Sequence, residues 1–247
     1  QYVSNYVESG ATAVDAGAGV AAIAGGVNSS LALLRDGSAV AWGSATYGIT
    51  TVPSDATNLV AVGASSSVGL GLRRDGDVLV WGQNNSGQFS VPAGATNIVA
   101  LGAGMGEHIL ALSDDGTVWA WGRNIEGQCD VPTDLTNVVA VAAGSGHSLA
   151  LQADGRVRGW GNPTYAGTVP ADATNIIGIA AASNEGLALR RDGTVMGWGL
   201  NDHGQATIPP GLSNVVEIAG GYWFGLALRS DGTVVAWGDN SVGQTNV

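Results

Sequence analysis

Histidine, cysteine and carboxylate side chains are the raw material of nucleophilic, acid–base and metal chemistry, and this chain places few of them together. It has three histidines and one cysteine. His108 and His147 stand in the same place of two similar segments, HILAL and HSLAL, where sister segments carry Ser29, Val68, Glu185 and Phe224. A position that recurs in register with such different side chains belongs to loop architecture, so both are read as structural histidines. His203 follows Asp202 in another loop. Cys129 is single, which excludes an internal disulfide and a cysteine-based metal site. No His-x-x-x-His pair, cysteine cluster or spaced carboxylate set suggests a metal. No Gly-x-Ser-x-Gly elbow or phosphate-binding loop is present. Asp36, Asp75, Asp115, Asp154, Asp192 and Asp231 each precede a glycine and read as turn formers. The expectation is a protein with no catalytic residues, metal or cofactor: a binding module and not an enzyme.

Recognition chemistry is better represented. Tyr222, Trp223 and Phe224 are consecutive. A strand cannot bury three successive side chains on one face, so at least one must point outward. Large aromatics on a loop rim are typical binding anchors. The expected partner surface comprises Tyr222, Trp223 and Phe224 with Tyr47, Tyr165, Arg123, Glu107 and Asp239. Net charge is −11 and lysine is absent. A strongly acidic surface repels phosphate backbones and anionic lipid, which disfavours nucleic acid and membranes as partners.

The elements that hold these residues repeat. Trp-Gly recurs at Trp42, Trp81, Trp121, Trp160, Trp198 and Trp237, at spacings of 39, 40, 39, 38 and 39. Asp-Gly precedes each Trp by five or six residues. Two markers sharing one period define tandem units, here about 18–57, 58–96, 97–136, 137–174, 175–213 and 214–247. Each unit holds short runs rich in β-branched residues between turn formers, the strand signature. Asp-Gly between two apolar runs predicts a hairpin, read as a primed turn. A fourth run ends in Val-Pro, as at Val91-Pro92 and Val131-Pro132. Proline cannot donate to a ladder, so this run is assigned to an outer edge. Four antiparallel strands repeated radially predict an all-β fold, a β-propeller of four-stranded blades, with the six Trp residues in the blade cores.

Antiparallel order then sorts the loops. First–second and third–fourth loops share one rim, the top. Asp-Gly turns and Val-Pro-to-Thr-Asn loops share the bottom. Eight of nine arginines flank the Asp-Gly turns; only Arg123 lies in a top loop, among Glu107, Glu126, Glu185, Asp202 and Asp239. The top rim is expected to be mildly acidic, the bottom a mixed ring of Arg and Asp.

The pattern Ala-Gly, short loop, Ser-Leu-Ala-Leu, Asp-Gly-x-Val, Trp-Gly, clearest in Ala143–Gly161, resembles the regulator-of-chromosome-condensation repeat family. The resemblance covers about residues 18–247. The Thr-x-Val-Pro run, as at Thr50 to Pro53, is closer in style to the bacterial propeller-type β-lactamase inhibitor than to the eukaryotic chromatin protein. The likeness implies a propeller, typically of seven blades, and a bacterial, secreted protein, extracellular or periplasmic. No basic n-region followed by an apolar h-region opens the chain, so no signal peptide is visible.

Six Trp-Gly units favour six blades and leave seven open. Val7–Thr12 resembles Val91–Thr96, so residues 1–17 are expected to act as a closing segment, with Gln244–Val247 as the rival for the same outer position. An exposed strand edge invites pairing with another chain, so self-association through the terminal strands is part of the expectation. The function expected is protein–protein interaction through the top rim. Alternatives are a carbohydrate- or small-ligand-binding propeller, a β-lactamase-inhibitor-like protein, and a structural module of a larger assembly.

Overall fold

In the computed structural model, which describes residues 19–247, every Asp-Gly pair closes a hairpin. Asp36 shows how: Leu34 O accepts from Gly37 N at 3.0 Å, and the Asp36 carboxylate accepts from Ser38 N at 2.9 Å. Gly37 has φ +81°, whereas Asp36 stays at negative φ. The turn is therefore an ordinary type I turn followed by a left-handed glycine bulge, not the primed turn that the sequence suggested. A primed turn would need positive φ at both central residues. The capping carboxylate instead holds Asp36 in place, and Asp75, Asp115, Asp154, Asp192 and Asp231 repeat the contact.

The hairpins build six antiparallel sheets. Blade one holds β1 (Val20–Gly25), β2 (Ser29–Leu34) and β3 (Ala39–Gly43). Blade two holds β4 (Leu59–Ala64), β5 (Val68–Arg73) and β6 (Val78–Gly82). Blade three holds β7 (Ile98–Ala103), β8 (His108–Ser113) and β9 (Val118–Gly122). Blade four holds β10 (Val138–Ala143), β11 (His147–Gln152) and β12 (Val157–Gly161). Blade five holds β13 (Ile176–Ala181), β14 (Glu185–Arg190) and β15 (Val195–Gly199). Blade six holds β16 (Val215–Gly220), β17 (Phe224–Arg229) and β18 (Val234–Gly238).

Each sheet has three strands, not the four expected. The Val-Pro runs lie outside the ladders. Two features explain this. Proline lacks the N–H that a ladder needs. In addition, the backbone just before the run serves the next blade: Gln88 O accepts the Trp121 indole N–H at 2.8 Å, and Gln128 O accepts that of Trp160 at 2.8 Å. Trp81, Trp198 and Trp237 make the same bond to Ile49, Ala166 and Gln205. These indoles are buried, so each bond closes a donor that would otherwise be stranded between blades.

The apolar core lies between blades, not within them. Leu110 and Leu112 of β8 meet Val138, Ala143, Ala150 and Trp160 of blade four. Leu149 and Leu151 of β11 meet Ile176, Ala188 and Trp198 of blade five. The first strand of each blade packs against the first and second strands of the blade before it, so first strands are innermost and Trp-bearing third strands are outermost. Among the described strands, blades one and six share no such packing. Ile23 is accordingly 49% exposed, Val234 is 44% exposed, and Trp42 is only half-buried. Residues 1–17, the expected closing segment, lie outside the described residues. Gln244–Val247 is not a strand.

Asn58, Asn97, Asn137, Asn175 and Asn214 all adopt left-handed backbone, φ +52 to +57°. Asparagine tolerates this conformation better than other side chains. It lets the entering chain turn back onto the Asp-Gly hairpin, where Arg74 N donates to Asn58 O and Arg191 N to Asn175 O. The Thr-Asn dipeptides of the sequence are thus bottom-rim corners.

Candidate functional site

Half of the bottom-rim arginines are paired with aspartates at the surface. Arg73 pairs with Asp55, Arg158 with Asp134, Arg190 with Asp172 and Arg156 with Asp154, at 2.7–3.3 Å. Arg73 and Arg190 also donate to the backbone carbonyls of Asp55 and Asp172. Exposed pairs of this kind add little stability and give the rim a mixed charge.

The top rim differs at blade six. In the loop between β16 and β17, Gly221 N donates to Phe224 O at 2.8 Å. A side chain at Gly221 would strike the Phe224 ring, so glycine allows that ring to fold down against the loop. Phe224 is half-buried at the start of β17. Tyr222 points outward, 46% exposed. Trp223 sits between them with φ +65°, held by Asp239 N donating to its carbonyl at 2.8 Å. Left-handed backbone at a bulky residue costs on the order of 1–3 kcal/mol and persists only where the surroundings impose it. Here the imposed geometry lays the indole on His203 of the neighbouring blade, centroids 4.2 Å apart and 12° from parallel. Tyr222 tilts onto the same indole at 4.3 Å. His203 Nδ1 lies 3.9 Å from Asp239 Oδ1. The Asp239 carboxylate accepts from Ser241 and Gln244, which holds its pKa below the usual carboxylate value.

Tyr222, Trp223, His203 and Asp239 therefore form one cluster across the junction of blades five and six. The other expected site residues are dispersed. Tyr47 is exposed on blade one. Tyr165 is half-buried beside Gly146 on blade four. Arg123 and Glu107 lie on blade three, where Glu107 accepts a hydrogen bond from Ser86 at 3.2 Å. The expected partner surface did not include His203, nor Ile125 and Val242, which are 77% and 86% exposed. Both apolar residues occupy tips of Asn-x-x-Gly loops, Ile125 where sister loops carry Asn85 or Asp202 and Val242 where they carry Ser86 or His203, so their apolar character was the available signal. The asparagine that opens these loops is engaged internally: Asn84, Asn124, Asn201 and Asn240 each accept from a backbone N–H five residues on.

A second polar row is buried. His108, His147 and Glu185 have no exposed surface. Ser148 donates to Gln128 O at 2.8 Å, so its oxygen is left to accept from His108 Nε2 at 2.9 Å, and Nε2 carries the proton. His147 lacks the equivalent contact because the next blade has Gly186 where blade four has Ser148. Burial lowers the pKa of His108 to about 3, with smaller contributions from His147 and Arg123, and that of His147 to about 4. Burial raises Glu185 to about 7. A carboxyl whose native pKa is raised is favoured in its neutral form, so its stabilisation is complete below about pH 4.5 and is lost as pH rises toward 7. Glu185→Gln should leave the melting temperature nearly unchanged at pH 4 and raise it at pH 8, by the equivalent of about 3 kcal/mol at most. Thermal melts of both proteins across that range check it. Among the described residues, no group of three or more His, Cys, Asp or Glu side chains is placed to hold a metal. No described helix is long and apolar enough to cross a membrane.

The profile of the "Regulator of chromosome condensation (RCC1) repeat" matches residues 59–88, 98–128, 138–166, 176–205 and 215–244. No curated protein matches the chain. Among solved structures, it is similar to yeast RCC1 (Prp20) bound to Kap60, at 21% identity and a TM-score of 0.76, over 90% of this chain and 70% of that one. It is similar to Saccharomyces cerevisiae Prp20p, described with its binding to Gsp1p and histones, at 21% identity and a TM-score of 0.75, over 89% of this chain and 72% of that one. Human WBSCR16 is similar at 19% identity and a TM-score of 0.75, over 93% of this chain and 78% of that one. At these identities the likeness shows the fold.

Proposed function

The chain belongs to the RCC1 repeat family, and from that premise we propose that it is a non-catalytic binding module that takes a protein partner on its top rim. The observation that carries the reading is the Trp223 loop. The fold holds a bulky aromatic in left-handed backbone, stacks it on His203 of the next blade, and leaves Tyr222 beside it in solvent. A rigid Trp–Tyr pair on a rim is the kind of anchor that dominates protein interfaces, because it presents a large area with few rotamers left to order. Support also comes from the fold's use elsewhere, since yeast Prp20 is described bound to Kap60 and binding Gsp1p and histones. The bottom rim is the weaker candidate, because four of its arginines are already paired with aspartates.

Trp223→Ala should weaken partner binding by about 2 kcal/mol or more, roughly thirtyfold in Kd, whereas Arg156→Ala on the bottom rim should leave it within about twofold. Isothermal titration with a partner isolated from the native source measures both. Equal losses at the two positions would defeat the rim assignment. Glycan-array binding abolished by Trp223→Ala would move the reading to the carbohydrate-binding alternative.

A further inference from the structure

Blades two to five treat one bottom-rim position alike. The residue that ends the second strand is Arg73, Ser113, Gln152 or Arg190, each paired with the start of its first strand. Each donates its side chain to the loop that enters its own blade. Arg73 Nη2 reaches the carboxylate and carbonyl of Asp55 at 3.1 and 2.8 Å, and Arg190 Nη2 those of Asp172 at 3.3 and 3.1 Å. Ser113 donates to Thr96 O at 2.8 Å, and Gln152 to Thr136 O at 2.9 Å. Blade six holds Arg229 at this position, opposite Val215. Its Nε is buried without a hydrogen-bond partner, and among the described residues it joins no ion pair. Arg229 lies at the junction with blade five, because Ala227, two residues earlier on the same face, packs with Leu187 and Leu189.

The cause is in the entering loop. Blades two and five begin with Pro53-Ser54-Asp55-Ala56 and Pro170-Ala171-Asp172-Ala173, blade six with Pro209-Pro210-Gly211-Leu212. Gly211 thus stands where the paired aspartates stand. Leu212 N donates to Pro209 O at 3.2 Å and Gly211 has φ +79°, a type II turn, whereas Asp55 and Asp172 keep negative φ. A Cβ placed on Gly211 meets no atom within 4 Å, so the space beside it is open. Asp231 does not replace the missing carboxylate. It accepts from Thr233 N and Oγ1, and these bonds, with a smaller contribution from Arg229, lower its pKa. Asp192 is held in the same way by Thr194, and Arg190 pairs with Asp172 all the same. We propose that the gap between Arg229 and Gly211 is a binding site for a carboxylate supplied by another molecule, separate from the top-rim site. A guanidinium offers a planar fork of donors that matches a carboxylate, and the two sister pairs supply the pattern for the missing one.

Nitrogen–proton NMR spectra of the arginine Nε–H groups test this while acetate replaces chloride at constant ionic strength, with Arg229→Gln identifying the Arg229 signal. That signal should shift and saturate, half-way at on the order of 10 mM acetate, while the signals of Arg73 and Arg190, already paired, stay in place. The peptide acetyl-Pro-Ser-Asp-Ala-amide, titrated in the same way, separates the two sources of a carboxylate. Tighter binding than acetate assigns the site to an acidic side chain of a protein segment, and equal binding to a free carboxylate. Pro210→Ser combined with Gly211→Asp installs the Ser54-Asp55 sequence of blade two at two exposed positions and restores a turn that aspartate can adopt. In that variant acetate should no longer move Arg229. An Arg229 signal still unmoved at about 100 mM acetate would overturn the proposal. So would equal shifts at Arg73 and Arg190, or a response that survives in the double variant.

Discussion

Leu149→Ala should destabilise the protein by about 2–5 kcal/mol, while Leu226→Ala, the same position two blades on, should cost well under half of that. The strands are alike: each leucine is the third residue of its blade's second strand. The difference is the neighbour. Leu149 is 0% exposed and packs into the junction with blade five, so its removal leaves a cavity lined by atoms that cannot follow. Leu226 faces no further blade among the described residues and is half-buried. Water can enter the space that truncation creates, so the cavity contribution falls away. For a chain of this length the interior substitution corresponds to a fall of roughly 5–15 °C in Tm. Calorimetry of the two variants checks the ratio, and equal losses would mean that blade six is covered in solution.

Acid should unfold the protein through its two buried histidines. Their native pKa values are lowered to about 3 and about 4, against 6.5 for the free side chain. Above about pH 6.5 both native and unfolded chains hold them neutral, and the stabilisation is complete. As pH falls, the unfolded chain takes up protons that the native chain refuses, so stability is lost between about 6.5 and 4, on the order of 3–5 kcal/mol per histidine at the acid end. Val68 and Phe224 fill the same register in blades two and six, which indicates suitable replacements. His108→Val combined with His147→Phe should flatten the acid limb of the stability curve. Urea titrations between pH 4 and 7 measure it. A limb of unchanged slope would assign acid unfolding to the capped Asp residues of the hairpins.

Much of the architecture is legible before any coordinates. Asp-Gly and Trp-Gly at a common spacing identify the hairpins, the number of units and the family, because each marker has a local physical cause. What escapes the sequence is non-local. The Trp indole bonds a carbonyl 32 or 33 residues away, which is why the Val-Pro run leaves the ladder and the sheets have three strands. Asp-Gly alone does not reveal that the carboxylate caps the turn and so selects type I geometry over the primed form. The rim is partly legible. Three consecutive aromatics require an outward one, and Tyr222 is that residue. The stack of Trp223 on His203 joins loops 20 residues apart on two blades, and nothing in the sequence of either loop names the other as its neighbour.

Photo-crosslinking from single positions bears most directly on whether this propeller binds through the rim at blades five and six. A photoreactive phenylalanine at Tyr222 and another at Thr133, exposed on the opposite rim, would be exposed to lysate of the native source. Position 222 should yield one discrete protein adduct that disappears when Trp223→Ala is added to the same chain, and position 133 should yield none. An adduct at position 133 that is indifferent to Trp223→Ala, with nothing specific at 222, would contradict the assignment.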